Sequence, residues 1–107
     1  MRFEIVLAPE AARAYRALGA RLRATVRDAL ETQLRHEPRK VSRSRIKRLR
    51  GLRQPQFRLR VGDLRVFYDV TDETVEILAI VTKAQAERWL AEKGTTGPDG
   101  SLGEGEG

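Results

Sequence analysis

The chain has no cysteine and one histidine. Disulfides and thiolate metal sites are therefore excluded, and the usual zinc ligand sets are out of reach. No metal or cofactor is expected. Long apolar runs are also missing: none approaches the roughly 18 residues that cross a bilayer. The opening Met1-Arg2-Phe3-Glu4-Ile5-Val6-Leu7 has too short an apolar stretch for a signal peptide, and Glu4 interrupts it. A cytoplasmic chain with no membrane partner is the expectation. Acid is scarce where base is dense. From Arg35 to Arg65 there are 12 Lys/Arg and only two acids, Glu37 and Asp63.

What is present is one domain's worth of sequence, 107 residues at net charge +6. Residues 94–107 hold three acids and no base, so residues 1–93 carry +9. That excess favours an anionic partner, either nucleic acid or an acidic protein. The segment from Gly94 is glycine-rich and acidic, with only Leu102 as a large apolar residue. It is expected to be a disordered tail on a domain of residues 1–93.

Hydrophobic spacing predicts the elements. Arg2 to Ala8 alternate as a first strand. Pro9 suits a first helical turn and Glu10 complements that helix's positive end, so a helix is expected from Pro9 to about Leu18, with Ala11, Tyr15 and Leu18 inward. Gly19 breaks it. A second helix from Ala20 to about Arg35 places Leu22, Val26, Ala29, Leu30 and Leu34 on one stripe, and Pro38 ends it. Pro38 to Ser44 read as loop, and Ile46, Leu49 and Leu52 as apolar anchors in the basic run that follows. Gln56–Val61, Leu64–Thr71 and Thr74–Thr82 read as an antiparallel meander with turns at Gly62-Asp63 and Asp72-Glu73. Ala84 to Lys93 form a short terminal helix. The order is β-α-α-β-β-β-α. The class is α+β, a helical hairpin packed on one face of a small antiparallel sheet.

In the meander, Phe57, Leu59 and Val61 alternate with Arg58 and Arg60, so the arginines share the face away from the core, and Arg65 opens the next strand. Planar guanidinium forks on a rigid sheet suit phosphate, because each can donate two parallel hydrogen bonds. The plainer alternative is a solvated basic face paired with Asp63, Asp69 or Glu76. Tyr68 shares alternation with Leu64, Val66 and Val70 and belongs to the core. His36 stands at a helix C-terminus, where a cation is favourable in any case.

Three segments carry a resemblance to the RelE/ParE superfamily of toxins from bacterial type II toxin–antitoxin modules. They are Ile5-Val6-Leu7-Ala8-Pro9-Glu10-Ala11-Ala12; Ile46-Lys47-Arg48-Leu49-Arg50-Gly51 with Phe57 to Tyr68; and Val75 to Val81 followed by Lys83. The resemblance implies a helical hairpin on a small sheet. It also implies one of two activities. RelE-type members cleave mRNA in the ribosomal A site without a metal, using basic side chains on the exposed sheet face. ParE-type members act on DNA gyrase and lack the nuclease site. Both are neutralised by a cognate antitoxin.

Carried over by position, Arg58 and Arg65 match the basic charge-stabilising residues, and Lys83 stands where the nuclease type has an arginine. Those three are the catalytic candidates. Arg60 has a basic counterpart. Trp89 falls where that type has a tyrosine: it can stack on a base but cannot exchange a proton, and a packing anchor is its other reading. Gln56 replaces a lysine, which removes one cation. Lys47, Arg48 and Arg50, within the run Arg43 to Arg53, are candidates for contacts with RNA. The implied partners are ribosome-bound mRNA, rRNA and the antitoxin. An RNA-binding relative without activity is a further alternative.

Overall fold

The computed structural model describes residues 1–96. Its elements run β1 (Glu4–Leu7), α1 (Pro9–Ala17), α2 (Ala20–Leu34), β2 (Ile46–Arg48), β3 (Phe57–Val61), β4 (Leu64–Val70), β5 (Thr74–Thr82) and α3 (Lys83–Lys93). The five strands form one sheet in the order β1-β5-β4-β3-β2. The α+β class and the hairpin-on-sheet arrangement are as expected from the sequence, with two differences in the sheet.

First, the sheet is mixed. The meander β3-β4-β5 is antiparallel, but β1 lies parallel to β5, with Glu4 opposite Thr74 and Leu7 opposite Ile77. The helical hairpin supplies the long crossover that a parallel neighbour requires. Second, β2 is a fifth strand at the edge, antiparallel to β3, with Ile46 opposite Leu59 and Lys47 opposite Arg58. Ile46 is its only buried residue, so the segment shows no alternation from which a strand can be read. The Ser42 hydroxyl fixes its start by accepting from the backbone N–H groups of Arg45 and Ile46. Two exposed cations on a three-residue edge strand also deter pairing with other chains.

The core lies between the sheet and the hairpin. Ala11 of α1 and Val26, Leu30 and Leu34 of α2 pack over Phe57, Leu59, Val66, Tyr68, Val75 and Ile77. Burial of the α2 stripe begins only at Val26. Leu22, expected on that stripe, is 39% exposed. Tyr68 is fully buried, stacked on Phe57, and its hydroxyl donates to the Pro38 carbonyl at 2.7 Å. Burial raises its phenol pKa well above the ordinary value. The β3–β4 turn has φ +58° at Gly62, followed directly by Asp63. That is the glycine-first pattern of a tight two-residue hairpin, and a side chain there would be strained even though space is free around it.

α3 begins with a capping box: the Thr82 hydroxyl accepts from Gln85 N, and the Gln85 side chain accepts from Thr82 N. The end of the folded unit differs from expectation. Thr95 exchanges backbone hydrogen bonds with Gln54 and accepts another from Arg53 N at 2.7 Å, so residues 94–96 continue the fold beyond Lys93. The rest of the expected tail, residues 97–107, lies outside the described residues. Among the described residues no helix is long and apolar enough to cross a membrane.

Candidate nucleic-acid interface

Several of the candidate residues gather on the second face of the sheet. Alternation on β3 turns Arg58 and Arg60 away from the core, and strand register then sets their neighbours. Lys47 of β2 is directly opposite Arg58, and Arg65 of β4 is directly opposite Arg60. Like charges placed opposite each other across strands destabilise a sheet. None of these four takes part in an ion pair among the described residues, where the pairs found are Glu31–Arg35, Glu37–Lys40 and Arg88–Glu92.

Arg58 is half-buried, and its Nε is enclosed with no hydrogen-bond partner. Burial lowers its pKa most, and the nearby charges of Arg65 and Arg60 lower it further. A buried donor without a partner costs free energy and is uncommon in native proteins. The enclosed Nε is out of reach of a ligand, but four cations gathered on one face without an acidic partner are an arrangement that an incoming anion would satisfy.

Arg65 differs from its expected role as an exposed arginine. It is only 8% exposed. It sits on the central strand between Arg60 and Val81, and its Nη1 donates to the carbonyls of Gly62 (2.9 Å) and Leu64 (3.0 Å). Arg65 thus closes the β3–β4 turn as well as contributing charge. Arg65→Ala is therefore expected to destabilise the fold by about 1–3 kcal/mol by stranding those carbonyls. Thermal unfolding of the variant checks this, and an unchanged midpoint would show that the two bonds do not support the turn.

α3 crosses the same face. It starts beside the β3–β4 turn, where Lys83 N donates to the Asp63 carbonyl at 2.7 Å. Further along, Trp89 lies flat on Phe67, with centroids 5.1 Å apart and planes 6° apart. Phe67 is fully buried and sits directly opposite Arg58. Trp89 Nε1 donates to Glu10 Oε2 at 2.7 Å. Past the helix, Thr95 is fastened to Gln54. The face expected to be partly open is thus a groove: β3 and β4 form the floor, α3 one wall and β2 the far edge.

The structure therefore sorts the candidate residues. Lys47, Arg58, Arg60 and Arg65 share the groove, with Lys83 at the start of its wall. Arg48 is on the opposite side, its guanidinium 5.4 Å from the ring centroid of the core-facing Phe57. Arg50 lies in the turn after β2. Trp89 serves as a packing anchor in this arrangement, with its N–H already engaged.

At the Arg58 end of the groove, Asp69 and Gln56 are joined in a way the sequence did not indicate. The Asp69 carboxylate accepts from Gln54 Nε2 (2.5 Å) and from Gln56 N (2.8 Å), and Gln56 Oε1 accepts from Val70 N (2.9 Å). Gln56 does share the alternation of Arg58 and Arg60. The partner that fixes it comes from the next strand.

Residues 5–87 match the family model of the ParE toxin of the type II toxin–antitoxin system, parDE. Among solved structures, the chain is similar to the toxin–antitoxin complex RelBE2 from Mycobacterium tuberculosis. The identity there is 28% and the TM-score 0.63, over 77% of this chain and 99% of that one. A free double mutant of the E. coli toxin RelE aligns with TM-score 0.65 at 23% identity, over 86% and 94% of the two chains. The YoeB–YefM complex from Staphylococcus aureus aligns with TM-score 0.57 at 16% identity, over 76% and 97%. The last two likenesses show the fold alone. No curated protein matches the chain.

Proposed function

We propose, for a chain that belongs to the ParE toxin family of type II toxin–antitoxin systems, that its toxic act is metal-independent cleavage of ribosome-bound mRNA. The observation that carries this reading is the unneutralised groove: Lys47 opposite Arg58 and Arg60 opposite Arg65, none of them in an ion pair among the described residues. A polyanionic strand satisfies all of these at once. In the reaction the ribose 2′-oxygen attacks the adjacent phosphorus and the bond to the 5′-oxygen breaks. Arg58 and Arg65 would stabilise the charge that builds on the phosphorane oxygens. Lys83 would donate to the departing 5′-oxygen, and water would take the 2′-OH proton. Arg43, Arg45, Arg50 and Arg53, exposed around β2 and the loop after it, would meet rRNA. The setting would be the cytoplasm. A cognate antitoxin would neutralise the charge, most simply with an acidic segment that orders on binding.

A second reading is favoured by two observations. The matched family model is that of ParE, and Trp89 is committed to Phe67 and Glu10, which leaves no side chain suited to general-base work at that position. On this reading the toxin binds a protein such as gyrase and cuts nothing.

Expression without an antitoxin, followed by primer-extension mapping of transcripts, separates the two. Growth arrest with cuts inside translated codons, lost when translation of that transcript is blocked, is the expected result. Arrest with intact transcripts and gyrase-linked DNA damage would establish the second reading.

A further inference from the structure

Beside the cation groove lies a cavity of about 480 Å³, lined by Arg53, Gln54, Gln56, Asp69, Thr95 and Thr96. Its size is within the range of small-ligand sites. Gln56 precedes Arg58 by two residues on the same face, about 7 Å along the strand. The cavity is therefore one short step from any phosphate held at Arg58.

Its walls are held in fixed orientations. Gln56 Oε1 accepts from Val70 N, so its Nε2 is the atom left to donate, and it has no protein partner among the described residues. Gln54 Nε2 donates to Asp69 Oδ2, so its Oε1 is left to accept. Thr95 holds the Gln54 backbone in place through bonds of its own. The cavity thus presents at least one fixed donor, one fixed acceptor and a carboxylate with lone pairs to spare.

Arg53 also lines the cavity and can meet a backbone phosphate there. The wall formed by Gln54, Gln56 and Asp69 is different: its carboxylate, held by Gln54 Nε2 and Gln56 N, repels a phosphate. A nucleobase edge carries N–H donors and carbonyl or ring-nitrogen acceptors together, which is the complement of this wall. We propose that the cavity formed around Gln56 and Asp69 reads one unpaired nucleobase of an RNA whose phosphate lies at Arg58. The inference deepens the RNA reading above and rests on it. It also gives Gln56 a role of its own at a position where the resemblance places a lysine.

Two conservative variants test it with opposite changes of charge. Gln56→Glu keeps the acceptor for Val70 N and loses the Nε2 donor. Asp69→Asn keeps the shape and removes an acceptor. The purified full chain is titrated at low salt with four RNA trinucleotides that differ in one base. Wild type is expected to favour one base by roughly tenfold, in line with a good pair of hydrogen bonds to a base edge. Electrostatics alone should make Gln56→Glu bind all four more weakly and Asp69→Asn bind all four more tightly. In both, the ratio between bases should flatten or change order. Equal wild-type binding of all four trinucleotides, or no binding, would overturn the inference, as would an unaltered ratio in both variants. The titration needs neither ribosome nor cleavage. Failure of the cleavage reading shows instead in the transcript mapping, so the two failures can be told apart.

Discussion

Replacing Arg58 by alanine is expected to lower the rate of RNA cleavage by a hundredfold or more while leaving the melting temperature unchanged or raised. The rate effect follows from losing one preorganised donor aimed at developing charge, which typically costs about 3–4 kcal/mol in the transition state. The stability effect has the opposite sign for a local reason. Arg58 faces Lys47 across one strand pair, lies near Arg60 and Arg65, and keeps its enclosed Nε unpaired. Truncation removes both the repulsion and the stranded donor. Sites that bind charge often trade stability for function in this way. Arg58→Lys should recover part of the rate, since an ammonium retains charge but cannot make the two-pronged contact. Single-turnover cleavage together with thermal unfolding checks both halves. A fully active, well-folded alanine variant would remove Arg58 from the site. A variant that is slow only because it has unfolded would make Arg58 a structural residue.

The two halves of that expectation come from different levels of the molecule. The outward turn of Arg58 and Arg60 was legible in the alternation of Phe57, Leu59 and Val61, because side-chain direction on a strand is a local property. The same holds for the buried Tyr68 and for the hairpin stripe from Val26 onward. What could not be read locally is what lies across from each residue. Alternation gives a face but not a cover, so Arg65 looked exposed although it is buried on the central strand and bonded to the turn before it. The pairing of β1 with β5 joins residues about seventy positions apart, and no local pattern distinguishes a parallel from an antiparallel partner. β2 went unseen because one isoleucine followed by two cations has no period. Arg48 and Lys47 are neighbours in sequence, and the pleat of that strand sends them to opposite faces. For Trp89 two readings were open, and the position of α3 puts the indole on Phe67.

Phe67→Ala is expected to produce the largest loss of stability at the groove, about 3–5 kcal/mol for emptying a fully buried aromatic site. For a domain of this size that corresponds to a fall in melting temperature of about 12 °C or more. The effect follows from where Phe67 sits. It is buried on the face opposite the main core, where its visible aromatic partner is Trp89, and that stack helps hold α3 to the sheet. Trp89→Ala should destabilise through the same contact, by less because the indole is only partly buried. A double-mutant cycle should return a coupling of about 0.5–1.5 kcal/mol, the usual range for a stacked aromatic pair. Trp89→Phe keeps a ring on Phe67 and loses only the hydrogen bond to Glu10, so its fall should be small. RNA affinity then separates anchor from platform. Measured well below the unfolding transition, Trp89→Phe and wild type should bind the same trinucleotides equally. A large loss of affinity in that variant, with its melting temperature preserved, would mean that the indole meets a base and that its place on Phe67 is given up when RNA binds.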